Sequence, residues 1–159
     1  MKLKKILIPT VFSREGMKVR EVFTICVEAG VPALPYLNSK GERRGFISLA
    51  GIMHHGCLPN YMVELAMVLG DQLSCVKDAT TKVRELMDHP IEAYVDKPLH
   101  SITSETPIIK AMAILEKFHS SFLFVFDGDE YRGVITAQGI AQRMLEIDAE
   151  KSEVVSRES

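Results

Sequence analysis

A stretch of eight residues returns late in the chain, and this repeat constrains the fold more than any other feature. Gly45-Phe-Ile-Ser48-Leu-Ala-Gly51-Ile52 recurs 88 residues on as Gly133-Val-Ile-Thr136-Ala-Gln-Gly139-Ile140. The same offset carries the match upstream without a gap. Val27-Glu28 falls on Leu115-Glu116, the apolar run Ala33 to Leu37 on Ser121 to Val125, and the turn Asn38 to Glu42 on Phe126 to Glu130. Chance produces one such octet more readily than an octet preceded by the same order of elements, so the chain is read as two copies of one supersecondary unit.

Each copy has the same pattern. Val19, Val22, Phe23, Cys26 and Val27 lie at helical spacing, with Gly30 as a C-terminal stop and Pro32 beyond it. In the second copy Thr106-Pro107 is an N-cap followed by proline, and Ile108, Ala111, Met112 and Leu115 share one face, with Phe118 near the end. Ala33 to Leu37 and Phe122 to Phe126 read as buried strands. Polar glycine-containing turns lead from them into Gly45 to Ser48 and Gly133 to Thr136, the second arms of hairpins. A helix from Ala50, and another from Gln138, closes each copy. A short strand is expected within Lys5 to Phe12 and within Ala93 to Thr103, giving β-α-β-β-α twice.

Between the copies, Asn60 caps an expected helix whose core face is Met62, Leu65, Ala66, Leu69 and Leu73, and Thr80 or Thr81 opens a shorter one ended by Pro90. The expected divisions are a first motif with its following helix over 1–75, a second motif over 76–150, and a frayed polar tail over 151–159.

Composition narrows the function classes. With 19 Lys plus Arg against 21 Asp plus Glu in 159 residues, the formal charge of −2 does not favour a nucleic-acid or acidic-membrane binder. No apolar run approaches the roughly 20 residues of a membrane span, and Ile6 to Ile8 is too short for a secretory signal. Cys26, Cys57 and Cys75 have no metal or redox spacing, as expected of reduced thiols in a soluble cytoplasmic protein.

These residues resemble the tandem CBS domain, or Bateman module, as a stand-alone pair. Lys82-Val-Arg-Glu-Leu-Met-Asp-His-Pro90 is similar to the family's lead-in, Ser101-Ile-Thr-Ser-Glu-Thr-Pro107 to its first strand and cap, and Ala111-Met-Ala-Ile-Leu115 to its amphipathic helix. Gly133-Val-Ile-Thr136 resembles the end of its hairpin, and Leu34-Pro35-Tyr36-Leu37 its apolar-Pro-apolar strand. The resemblance implies an α/β (α+β) fold of two pseudo-twofold-related CBS motifs packed through their small sheets, with two clefts and a tendency to homodimerise. It also implies an adenine-containing regulatory ligand, such as AMP, ADP, ATP or S-adenosylmethionine, and a regulated partner protein. No cofactor and no catalytic role are expected.

Ser48 and Thr136 stand where a strand stops and a helix starts, so each hydroxyl either caps a backbone N–H or donates to a ligand beside the helix N-terminus. Family members often carry Asp three residues later to hold ribose, and here those positions are Gly51 and Gly139. Two glycines in first helical turns point either to a close approach by a ligand or neighbouring helix, or to shared ancestry of the copies.

The expected ligand-binding set is Thr136, Thr103, Ser120, Ser121, His119, Gly133 and Gly139, with Ser48 and Gly51 in the first copy. Val31-Pro32-Ala33 stands opposite the serine pair and offers no polar side chain, so the Thr136 and Ser120 side is expected to dominate. Arg44, Arg132 and Arg143 flank the motifs as possible phosphate contacts. His54-His55 with Cys57 is not read as a metal site, because adjacent helical histidines diverge by about 100°. The remaining histidines, His89 and His100, are scattered. No nucleophile elbow, P-loop or dinucleotide fingerprint is present. The other reading is a degenerate CBS pair that serves dimerisation or protein interaction without a small ligand.

Overall fold

The computed structural model describes residues 2–58, 64–68 and 79–158. Two compact units are present. One is Phe12 to Leu99; the other joins the N-terminal stretch through Val11 to the chain from His100 onward. This division differs from the expected 1–75 and 76–150 boundaries, because the segment preceding each copy pairs with the hairpin of the other copy's unit.

In the Phe12–Leu99 unit the order is β1 (Ser13–Arg14), α1 (Val19–Ala29), β2 (Ala33–Leu37), β3 (Arg43–Ser48), α2 (Leu49–Cys57) and α3 (Ala79–Met87), followed by a 3-10 turn at Ile91–Tyr94. β1 is parallel to β2 and β2 antiparallel to β3, with Ala33 opposite Ser48. α1 buries Val19, Val22 and Cys26, and Gly30 ends it in the left-handed conformation. Val27, expected on the same buried face, is 74% exposed. Its apolar spacing marks the edge of the stripe rather than its centre.

The second unit contains β4 (Ser101–Ile102), α4 (Ile108–Lys117), β5 (Phe122–Asp127), β6 (Glu130–Thr136) and α5 (Ala137–Glu158). β4 is parallel to β5 and β5 antiparallel to β6, with Phe122 opposite Thr136. Its core gathers Leu3 and Ile6 from the N-terminal stretch with Ile108, Leu115, Leu123, Ile135 and Ile140. The β-α-β-β-α order is thus present twice, in a mixed α+β fold with two three-stranded sheets and five α-helices among the described residues.

The repeat extends further than the octet. Ile8 pairs with Val134 and Asp96 pairs with Phe46, each through two backbone hydrogen bonds, and these residues stand 88 apart like the copies themselves. Gly45 and Gly133 exist for this crossing. A Cβ on Gly45 would lie 2.1 Å from the Asp96 carbonyl oxygen, and one on Gly133 would lie 2.3 Å from that of Ile8. Both glycines also have positive φ, +104° and +142°, which other residues rarely adopt.

Three further expectations are corrected. β1 begins just past the Lys5 to Phe12 window. Thr106 does not cap α4: its hydroxyl accepts from the Thr103 N–H at 3.1 Å, and the helix starts after Pro107. Residues 151–158 are helical rather than frayed, because nothing after Gly139 breaks a helix and Ala, Gln, Met, Leu, Glu and Lys favour one. Asn60, Met62, Leu69 and Leu73 lie outside the described residues, and Leu65 is exposed. Among the described residues no helix is long and apolar enough to cross a membrane.

Candidate functional site

Hairpin register brings Ser48 and Thr136 to the same place in each copy. The strand ends at the hydroxyl residue, the next N–H leaves the sheet, and a helix begins. Leu49 N–H donates to the Pro32 carbonyl at 3.0 Å, and Ala137 N–H to that of Ser121 at 2.9 Å. Both hydroxyl residues are enclosed, Ser48 at 8% and Thr136 at 9% exposure. Each side-chain oxygen accepts the N–H three residues on, Gly51 to Ser48 at 2.9 Å and Gly139 to Thr136 at 3.0 Å. Both are therefore helix caps, and each O–H still has a proton to donate.

The glycines differ in what faces them. A Cβ on Gly51 would sit 2.7 Å from Asp96 Oδ2 and 2.7 Å from Ser48 Oγ. A Cβ on Gly139 would meet Thr136 Oγ1 at 3.3 Å and the Ile6 Cβ at 3.6 Å, with no carboxylate among its three nearest atoms. A side chain at position 51 would thus have to push aside the Asp96 carboxylate and the Ser48 hydroxyl. Asp96 is the residue that sequence reasoning missed. The signal was available: extending the repeat upstream sets Asp96 against Ile8, an acid against an apolar residue.

The other expected residues are distributed as follows. Ser120 fixes its own turn, its hydroxyl donating to the Phe122 carbonyl at 2.9 Å. Ser121 contributes its backbone carbonyl to the start of α5, while the residue itself is exposed. Thr103 is committed to the turn with Thr106, hydroxyl to hydroxyl at 3.2 Å. His119 has φ +48°, a left-handed position after α4. With Ser120 it edges an apolar groove of about 340 Å3 floored by Leu115, Ala137 and Ile140, with Met112 and Met144 at its rim. The groove thus holds His119 and Ser120 beside Ala137, one residue on from Thr136, but Thr103 does not line it.

The arginines do not stand free. Arg44 pairs with Glu42, Arg132 with Asp127 at 2.9 Å, and Arg143 with Glu146 at 2.9 Å and Glu150 at 3.2 Å. A phosphate would have to displace a carboxylate at each. Asp127 also accepts the backbone N–H and hydroxyl of Ser104 at 2.9 and 2.7 Å. Those bonds first, and Arg132 after them, hold its carboxyl below the usual range.

His54 and His55 meet edge to face, 4.7 Å between ring centroids. His55 and Cys57 border a second pocket of about 370 Å3 with Lys82, Glu85 and His89, which the sequence did not reveal. Among the described residues no three metal-ligating side chains converge. His89 Nδ1 is 2.9 Å from the Tyr94 hydroxyl, and His100 stacks on Phe118 with centroids 3.6 Å apart.

Comparison with known proteins agrees with this geometry. A family model described as the CBS domain matches residues 83–146. The A-adding tRNA nucleotidyltransferase of Aquifex aeolicus (strain VF5) is 26% identical over 144 residues, 90% of this chain, although the chain spans only 14% of that relative's length. A CBS domain-containing protein of unknown function from Bacillus anthracis str. Ames Ancestor is 17% identical with a TM-score of 0.62, covering 92% of this chain and 94% of its own. The CBS domain pair of protein MJ0100, in complex with methylthioadenosine and S-adenosyl-L-methionine, is 14% identical with a TM-score of 0.60, covering 91% and 95%. CbpB in complex with c-di-AMP is 18% identical with a TM-score of 0.56, covering 96% and 90%. Residues 83–146 are a CBS domain, and the chain as a whole has the fold of CBS-domain proteins.

Proposed function

We propose that this chain is a regulatory module, not an enzyme, that binds an adenine-containing nucleotide or related metabolite and thereby modulates a partner protein or its own association. The carrying observation is the pair of enclosed helix starts, each with a hydroxyl and a glycine three residues on, repeated in both copies. Similarly folded proteins hold methylthioadenosine, S-adenosylmethionine or c-di-AMP, which supports the same ligand class here. The proposed setting is a cytoplasmic homodimer. Ile109, Met112, Met144 and Leu145 on α4 and α5 are exposed apolar surface available to a second copy.

The Thr136 side is proposed to take the phosphorylated end of such a ligand. The start of α5 has backbone N–H groups and a hydroxyl with no acid side chain against Gly139, whereas the start of α2 already faces the Asp96 carboxylate. A thermal-shift series with AMP, ADP, ATP, S-adenosylmethionine and c-di-AMP tests the reading. A bound ligand at a hundredfold excess over its dissociation constant stabilises by about 2.7 kcal/mol. No shift with any of them overturns the ligand-binding reading and leaves the interaction module. That second reading is favoured by the apolar groove beside Ser120, which a side chain of a partner protein would also fill.

A further inference from the structure

We propose that the pocket between the end of α2 and α3 binds a small zwitterion of the α-amino-acid class, with its carboxylate at Lys82 and its ammonium at Glu85. The proposal is independent of the nucleotide reading, since none of the residues at the two helix starts lines this pocket. The cavity of about 370 Å3 has Lys82 and Glu85 at its exposed rim, Leu86 as its buried floor, and Gly56, Cys57 and His89 around it. Its neighbours hold its shape. A Cβ on Gly56 would lie 2.5 Å from Leu86 Cδ1 and 3.3 Å from the Tyr94 hydroxyl. Tyr94, only 7% exposed, is hydrogen-bonded to His89 Nδ1 at 2.9 Å, and the His89 carbonyl accepts the Val19 N–H at 3.0 Å. His89 is thus fixed at ring and backbone, and its Nε2 is left for a ligand.

Lys82 and Glu85 stand three apart on α3, and they set the ligand class. At the same spacing on α5, Arg143 and Glu146 close to 2.9 Å, yet Lys82 and Glu85 pair neither with each other nor with another described residue. Their charges cancel, so the pocket favours neither a simple anion nor a simple cation but a molecule carrying both charges. Side chains three apart on a helix have Cβ atoms about 5–6 Å apart, and an ammonium and a carboxylate on one carbon bridge that span. Leu86 and the Cys57 thiol offer the rest of the ligand an apolar surface, which suits an aliphatic or thioether side chain. The other copy has a methionine side chain, Met144, at the position equivalent to Gly56.

Isotope-labelled protein is titrated with L-leucine, and with isopentylamine and isocaproate, which each keep one of its two charges. The Gly56 and Leu86 amides are the reporters. They are expected to respond to L-leucine at a concentration at least about tenfold lower than to either analogue, a factor that one charge-assisted hydrogen bond supplies. Lys82→Gln and Glu85→Gln, both at exposed positions, should each weaken L-leucine binding by about tenfold or more, and Arg84→Gln, outside the pocket, should not. Equal response to L-leucine and to either analogue, or unweakened L-leucine binding in Lys82→Gln or Glu85→Gln, overturns the proposal. So does the absence of any Gly56 or Leu86 response to L-leucine, L-methionine and glycine at millimolar concentration. Nucleotide binding is read in the same samples at the Gly51 and Gly139 amides, so either reading can fail without the other.

Discussion

Asp96 Oδ2 lies 2.7 Å from the point where a Cβ on Gly51 would be, so a larger residue at 51 would displace the Asp96 carboxylate. The two are 45 positions apart in the chain and meet because Asp96 is paired to Phe46, the second residue of the octet that also contains Gly51. Gly51→Ala should force the carboxylate and the Ser48 hydroxyl aside and weaken the cap of α2. Gly139→Ala meets only ordinary or slightly tight contacts and gains helix propensity of up to about 1 kcal/mol. Denaturant unfolding should rank Gly139→Ala at or above the native protein and Gly51→Ala about 1 kcal/mol or more below it. Equal stability of the two variants would contradict this account.

Gly45→Ala and Gly133→Ala are expected to be severe. Each adds a Cβ against a backbone carbonyl, 2.1 or 2.3 Å away, at a φ that disfavours any side chain. A cost of at least about 2 kcal/mol is expected from strain and displacement together. Gly30→Ala is the control: its φ is also positive, +70°, but nothing lies within 4 Å, so only the conformational cost of about 1 kcal/mol applies.

Thr136→Val should weaken binding of AMP by roughly 1–3 kcal/mol if the hydroxyl bonds the ligand, and Ser48→Val much less. Both substitutions also remove a cap worth about 1 kcal/mol. Calorimetric titrations are therefore compared at a temperature where both variants are fully folded. Loss of AMP binding in Ser48→Val with retention in Thr136→Val reverses the assignment of the two sides.

Burial pushes the Cys26 thiol up to about 12 from its usual 9.0. The folded protein keeps this proton after the unfolded chain has lost it, so the unfolded state binds fewer protons above pH 9 and stability falls there as pH rises. Between about pH 8 and pH 10.5 the native protein should lose about 1–2 kcal/mol relative to Cys26→Ala, read from urea unfolding at the two values. A constant difference would show that the thiol ionises in the folded state.

Asp127 moves the other way. The Ser104 backbone N–H and hydroxyl, then Arg132, hold its carboxyl below the usual 3.8. Its contribution to stability is present above the unfolded value and is lost as pH falls through the folded one. Ser104→Ala removes the hydroxyl donor but keeps the backbone N–H, so the carboxyl should titrate at higher pH than in the native protein while staying low. The titration is followed by the side-chain carbonyl resonance, and an unmoved midpoint would assign the depression to the backbone bond and Arg132 alone.

The order of elements was legible because it is written in local terms. Ala33 to Leu37 and Phe122 to Asp127 are apolar runs bounded by turns, Gly30 is a left-handed stop, and Ser48 and Thr136 are caps whose hydroxyls bond three residues onward. Such features depend on neighbours within a few residues, and the 88-residue repeat shows each of them twice. What only the tertiary structure decided is which distant backbone crosses each hairpin. Ile8 joins β6 and Asp96 joins β3, so the segment ahead of each copy serves the other copy's strand. Periodicity cannot show a single bridge between residues 126 positions apart, such as Ile8 and Val134. For the same reason Gly45, Gly51 and Gly133 were visible as glycines, but the carbonyls and the carboxylate that face them were not.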